Sequence, residues 1–167
     1  MADRTDPTTL TLLLGRLGRL NEALVTQVCA DHDTTPAEVR VLSMLAHQPT
    51  GAASPRHIAR FVVQTTGGLT ATLGRLETAA FVERRPDPND GRGRLVALTA
   101  EGRRFQAEVL DAIVDRTAAT LHGLDLERLD HAVRTAVVAF EEAAGLPSSA
   151  GFVAGPPLAL DPTGSAA

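Results

Sequence analysis

Arg92 and Arg94 sit on a glycine-rich turn in the run DGRGRLVALTAEG, residues 90–102, which leads into a short apolar strand. A guanidinium is permanently charged and offers a planar fork of donors, so a pair of them on one tip suits a polyanion. Asp90 would repel phosphate if free. Beside Arg92 it is read as pairing with that guanidinium and fixing the shape of the loop. The run holds no nucleophile with a base beside it. Its GRGR segment also lacks the strand–loop–helix setting of a phosphate-binding loop. No catalytic residue, cofactor or enzyme activity is expected.

The charge distribution points the same way. The chain has 167 residues and a net charge of −4, so it is not basic all over. Residues 54–104 nevertheless carry nine Arg against five acids, whereas residues 105–146 carry three Arg against eight acids. Such asymmetry is expected when one part of a chain meets a polyanion. The length is that of one domain with a usable core. No apolar run approaches the roughly 18 residues of a membrane span. The N-terminal stretch is interrupted by Arg16 and Arg19 and has no basic start or cleavage site, so a cytoplasmic protein is expected. The single cysteine, Cys29, excludes an internal disulfide.

Helix punctuation locates the elements that must carry the turn. Asp6–Pro7 offers a cap and a proline at the first helical position, followed by Leu10, Leu13, Leu14, Leu17, Leu20, Leu24 and Val28 at helical spacing. Thr35–Glu38, TPAE, reads as a capping box before Val39, Leu42 and Leu45. Ser54–Pro55 opens a short helix with Ile58 and Phe61. Thr65–Thr66 opens a fourth, with Leu69, Leu73 and Leu76 inward. The period then changes: 81–85 and 94–98 read as strands around the turn cluster 86–93. Thr99 caps a long helix bearing Phe105, Val109, Ile113, Val114 and Leu121. Asp125 caps the last, with Val133, Val137 and Phe140, and Gly145 and Pro147 end it. From Pro147 the chain turns to Gly, Pro, Ala and Ser and reads as a flexible tail.

The expected fold is mainly α with a small β-hairpin: a winged helix-turn-helix core flanked by N- and C-terminal dimerisation helices. The expected partition is 1–33, 34–99, 100–146 and a tail at 147–167. Units of this kind place the last of their three helices in the DNA major groove and the hairpin against the minor groove. A narrow minor groove concentrates negative potential, which suits an arginine at the hairpin tip.

These residues resemble the MarR-type (multiple antibiotic resistance regulator) transcription factors. The wing pattern of that family is matched in register by Asp90, Arg92, Val96, Leu98, Thr99 and Gly102. The segments LTATLGRLE, 69–77, and GRLETAAFVERR, 74–85, match its recognition helix and following strand. The resemblance runs from about residue 10 to residue 145. It implies a homodimer that binds a palindromic double-stranded operator, a ligand-responsive repressor. It also implies a cleft between the dimerisation and DNA-binding parts that takes a small aromatic or anionic effector. Arg16, Arg19 and His57 are the candidates to line that cleft. The family often carries Arg or Asn just after the position of Thr70; here stand Ala71 and Thr72, with Gly67–Gly68 in the first turn. Thr65, Thr66, Thr70 and Arg75 are therefore the candidate contacts from the helix, with Arg84 on the strand and Asp90, Arg92 and Arg94 on the wing. The short side chains offer no bidentate base reading, so wing and DNA shape are expected to share the recognition.

Two sensing chemistries compete with this reading. Peroxide sensors of the family use a cysteine held by tyrosines, but this chain has no Tyr, and Cys29 in an apolar setting reads as packing. His32, His47, His57, His122 and His131 show no close ligand spacing, so no metal is expected. The alternative to DNA binding is a winged helix used for protein contact.

Overall fold

The computed structural model describes residues 6–88 and 90–149, apart from the side chain of residue 92. The order is α1 (Pro7–Asp31), α2 (Pro36–Ala46), β1 (Ala52–Ala53), α3 (Pro55–Phe61) and α4 (Thr66–Thr78). There follow β2 (Val82–Asp87), β3 (Asp90–Leu98), α5 (Ala100–Thr120) and α6 (Leu126–Ala144). Mainly helical structure with a small antiparallel sheet is the fold class expected above. Most of the tail read at 147–167 lies outside the described residues.

Each predicted cap is made. Asp6 accepts from the amides of Thr8 and Thr9, Ser54 from His57, Thr65 from Gly68, Thr99 from Gly102 and Asp125 from Arg128. Thr35 and Glu38 form the full reciprocal box. These bonds satisfy first-turn amides that have no partner within the helix, which is why the helix starts were readable.

The sheet departs from the expected pair of strands. Its order is β1–β3–β2, with Ala52 opposite Ala97 and Ala53 opposite Val96. Gly51, at φ +64, turns the chain so that its carbonyl accepts from the Leu98 amide at 2.8 Å. A two-residue strand of alanines has no periodicity of its own, so only the pairing with β3 makes it visible. The hairpin is also longer than read, with a register irregularity between Pro86 and Asp87.

One core fills the space between α2, α3, α4 and the sheet, built on Leu42, Met44, Leu45, Ile58, Leu73 and Val96. A smaller cluster, Cys29, Val39 and Val109, joins α1, α2 and α5. Cys29 is fully buried there, and burial pushes its thiol up, away from reactivity at neutral pH. The wing meets α5 at a tight junction. The Thr99 hydroxyl donates to the Ala80 and Phe81 carbonyls at 2.8 and 3.1 Å, and Phe81 stacks on Phe105 with centroids 4.3 Å apart. The outer helices are bare by contrast: Leu13, Leu17 and Leu20 of α1 and Val133, Val137 and Phe140 of α6 are exposed.

Candidate nucleic-acid interface

Helix α4 buries Leu69, Thr72, Leu73 and Leu76. Thr72 is sealed by its hydroxyl donating to the Gly68 carbonyl at 3.0 Å, so it cannot read DNA. The opposite face presents Thr66, Gly67, Thr70, Ala71, Gly74, Arg75 and Thr78 to solvent. A methyl group on Gly67 or Gly74 would meet nothing within 4 Å, so packing does not demand glycine at either position. The glycines keep the helix surface low, a shape that would permit close approach of another backbone. Gly74→Ala is accordingly expected to raise stability by about 1 kcal/mol through helix propensity while weakening DNA binding. Denaturant melts and fluorescence anisotropy check this; a variant both more stable and fully DNA-competent would remove close approach as the reason for Gly74.

The named helix residues are all at the surface, but several are committed. Thr65 is the cap, and the Thr70 hydroxyl donates to the Thr66 carbonyl at 2.9 Å. Arg75 is half-exposed, and its Nε donates to Glu38 Oε1 at 2.6 Å. Arg84 Nε donates to Glu77 Oε1 at 2.6 Å. On the wing, Arg94 is exposed and reaches its own neighbour's carbonyl, on Gly93, at 3.4 Å. Asp90 is exposed and opposite Asp87, and a methyl on Gly93 would lie 3.0 Å from the Asp87 Cβ and 3.1 Å from Asp90. The tip is thus folded tightly over a glycine. The Arg92 side chain and its expected pairing with Asp90 lie outside the described residues.

Thr65, Thr66, Thr70 and Arg84 share the rim of an open cleft of about 860 Å³ with Arg56 and Arg60 of α3. Sequence reasoning missed both α3 arginines. Their spacing of four within a helix opened by Ser54–Pro55, with Ile58 between them turned inward, was the available signal. Arg60 Nη2 donates to the Gly145 carbonyl at the end of α6, 2.9 Å away, and Leu146 closes one wall. The buried amide oxygen of Gln64, also in the wall, has no hydrogen-bond partner among the described residues. None of the three expected effector residues lines this cleft. Arg16 is exposed on α1, and Arg19 lies along its own helix, its Nη1 3.4 Å from where a methyl on Gly15 would stand. His57 is exposed near Phe61, with ring centroids 6.4 Å apart.

Comparison with known proteins places this geometry. Residues 32–93, from the end of α1 to the wing tip, match the model of the MarR family. The multiple antibiotic resistance protein MarR of Salmonella typhimurium is 30% identical over 113 residues, covering 65% of this chain and 74% of that protein. The chain belongs to the MarR family. Its winged-helix fold is the DNA-binding fold of MarR transcription regulators. A mutant MarR from Escherichia coli, solved in complex with operator DNA, superposes with a TM-score of 0.64 at 25% identity, over 80% of this chain and 99% of that one. BpsR of Bordetella bronchiseptica, whose DNA binding is regulated by 6-hydroxynicotinic acid, gives 0.63 at 26% identity, over 82% and 98%. Among the described residues, no helix of this MarR-family chain is long and apolar enough to cross a membrane.

Proposed function

We propose that this MarR-family regulator is a cytoplasmic homodimeric repressor that binds a palindromic operator and is released by a small anionic or aromatic effector. The observation that carries the reading is the grouping of Arg56, Arg60 and Arg84 with the hydroxyls of Thr65, Thr66 and Thr70 on one rim, in a chain whose net charge is −4. Cations and short hydroxyls grouped at the start of α4 suit phosphates and thymine methyls. Asp90, Arg92 and Arg94 would carry the minor-groove contact, and Arg75 the helix contact. The exposed apolar faces of α1 and α6 support dimerisation, because a contiguous apolar surface of this kind is costly on a monomer. On this reading residues 1–33 and 100–146 form the dimer and 34–99 bind DNA.

The cleft supports the effector part. Arginines around an apolar floor of Ala59, Leu69 and Leu73 fit a flat anion, and the unpaired Gln64 oxygen would accept from a hydroxyl or N–H on it. Arg56, Arg60 and Arg84 are thus proposed for an effector beside the expected Arg16, Arg19 and His57, which lie outside this cleft.

Anisotropy with DNA from the gene's own upstream region, over a range of salt, tests the reading. Arg92→Ala is expected to weaken binding by about 1–3 kcal/mol and to flatten the slope of log affinity against log salt by about one. Sedimentation equilibrium should show a dimer at micromolar concentration. A 17.5 kDa species would remove the dimer. Binding without a salt slope, untouched in Arg92→Ala, would favour the protein-contact alternative.

A further inference from the structure

Glu38 is a charged residue kept 7% exposed, on α2, away from the exposed face of α4. Its carboxylate is fully occupied. Oε2 accepts from the Thr34 hydroxyl at 3.0 Å, the Thr35 hydroxyl at 2.9 Å and the Thr35 amide at 2.8 Å. Oε1 accepts from Arg75 Nε at 2.6 Å. Cap formation alone needs only the Thr35 bonds, so the bond to Arg75 is an added feature, made across 37 residues.

Arg75 is the one cationic residue of α4, and its side chain stays 53% exposed despite the bond. Around it, Ala71, Gly74, Thr78 and Ala79 border a shallow depression of about 400 Å³. All are small, so Arg75 is the long side chain of that part of the helix surface. The one acid of α4, Glu77, is paired with Arg84. Gripped through Nε, the guanidinium keeps its two Nη groups outside the Glu38 bond but loses freedom to swing. The Glu38 charge also offsets its attraction for a distant phosphate.

We propose that Glu38 is a specificity-determining residue for DNA. It acts through Arg75, holding that guanidinium in one geometry so that it rewards a matching site and is denied to arbitrary phosphates. The inference rests on the DNA-binding reading above. Physically, discrimination is a difference of affinities, so a restraint that lowers binding to the wrong partner raises it. A cation released from its carboxylate would behave as an ordinary phosphate contact, adding affinity that carries no sequence information.

Affinities for the upstream operator duplex and for a random duplex of equal length, each over a range of salt, test this. Four full-length proteins are needed: wild type, Glu38→Gln, the double variant Glu38→Gln/Arg75→Gln, and Val109→Ala. The last is a core truncation in the cluster of Cys29 and Val39, outside α4. Glu38→Gln is expected to bind random DNA more tightly, with a salt slope steeper by about one. Its operator-to-random ratio should fall about tenfold, as for one lost base contact. The double variant should return the slope to wild type while the ratio stays low. Val109→Ala should keep both. A Glu38→Gln protein with wild-type slope and ratio overturns the proposal. So does one that weakens on both duplexes equally, as a merely structural role would give. If Glu38→Gln does not fold, the double variant, which buries no charge, decides: a wild-type ratio there overturns it. A wild-type protein that does not bind DNA, or does not prefer its operator, sinks the functional reading itself before any variant is compared.

Discussion

Gly102→Ala is expected to unfold much of the wing–α5 junction. A methyl group at this position would stand 2.0 Å from the Phe81 carbonyl oxygen and 2.8 Å from its carbon. These are backbone atoms and cannot rotate away. The same carbonyl accepts from the Thr99 amide and hydroxyl at 3.1 Å, so moving it breaks the bonds that seat the start of α5 on the end of α4. The Phe81–Phe105 stack would open with it. The cost should reach about 3 kcal/mol, the upper part of the range for overpacking, with Tm lower by roughly 10 °C. Thermal and urea melts measure it. Because α5 is a proposed dimer helix, loss of the dimer at low micromolar concentration should accompany the drop. A variant within about 0.5 kcal/mol of wild type, the range of an ordinary surface change, would mean that the junction relaxes and that Gly102 is not required there.

Arg75→Ala should produce the second large loss, and its dependence on pH identifies the cause. Burial alone would raise the Glu38 carboxyl. The Arg75 guanidinium and the Thr35 and Thr34 hydroxyls outweigh burial and hold it below its ordinary value of 4.5. Removing the guanidinium leaves a buried carboxylate short of its strongest partner. A fully buried pair broken this way costs about 3–5 kcal/mol; Arg75 is half in solvent, so about 2 kcal/mol is expected here. The folded-state carboxyl is depressed, so its contribution is present above about pH 4.5 and is lost as pH falls through the folded value. In Arg75→Ala that contribution is already reduced. The stability gap between wild type and variant should therefore be widest near neutral pH and shrink below about pH 4.5. Urea melts at several pH values between 7 and 3 follow it. A gap that stays constant across that range would assign the loss to side-chain packing and not to the ion pair.

Local chemistry was legible in the chain and long-range chemistry was not. The caps at Asp6, Thr35, Ser54, Thr65, Thr99 and Asp125 each act on an amide two or three residues ahead, so residue order alone reveals them. The wing was readable from its turn residues, although its strands run further toward the tip than their apolar pattern did. β1 was missed because two alanines become a strand only when β3 lies beside them. Arg16, Arg19 and His57 are the effector candidates because the family resemblance implies a cleft between the dimerisation and DNA-binding parts, with α1 as one wall. The open cleft draws on α3, α4, Arg84 and Leu146, which come together only in the folded chain.

By itself the sequence determined where the helices begin, that a basic segment surrounds a hairpin, and that Asp90, Arg92, Val96, Leu98, Thr99 and Gly102 follow the MarR wing pattern. Each of these depends on neighbours a few residues away, or on a charge count. Only the tertiary structure decided which arginines are paired. Arg75 finds Glu38 across 37 residues, and Arg60 finds Gly145 across 85. It also decided why residue 102 is glycine, since a methyl there is excluded by a carbonyl from 21 positions earlier in the chain. An ion pair or a steric limit between distant residues depends on distance in space, and that distance is set only when the core between α2, α4 and the sheet closes.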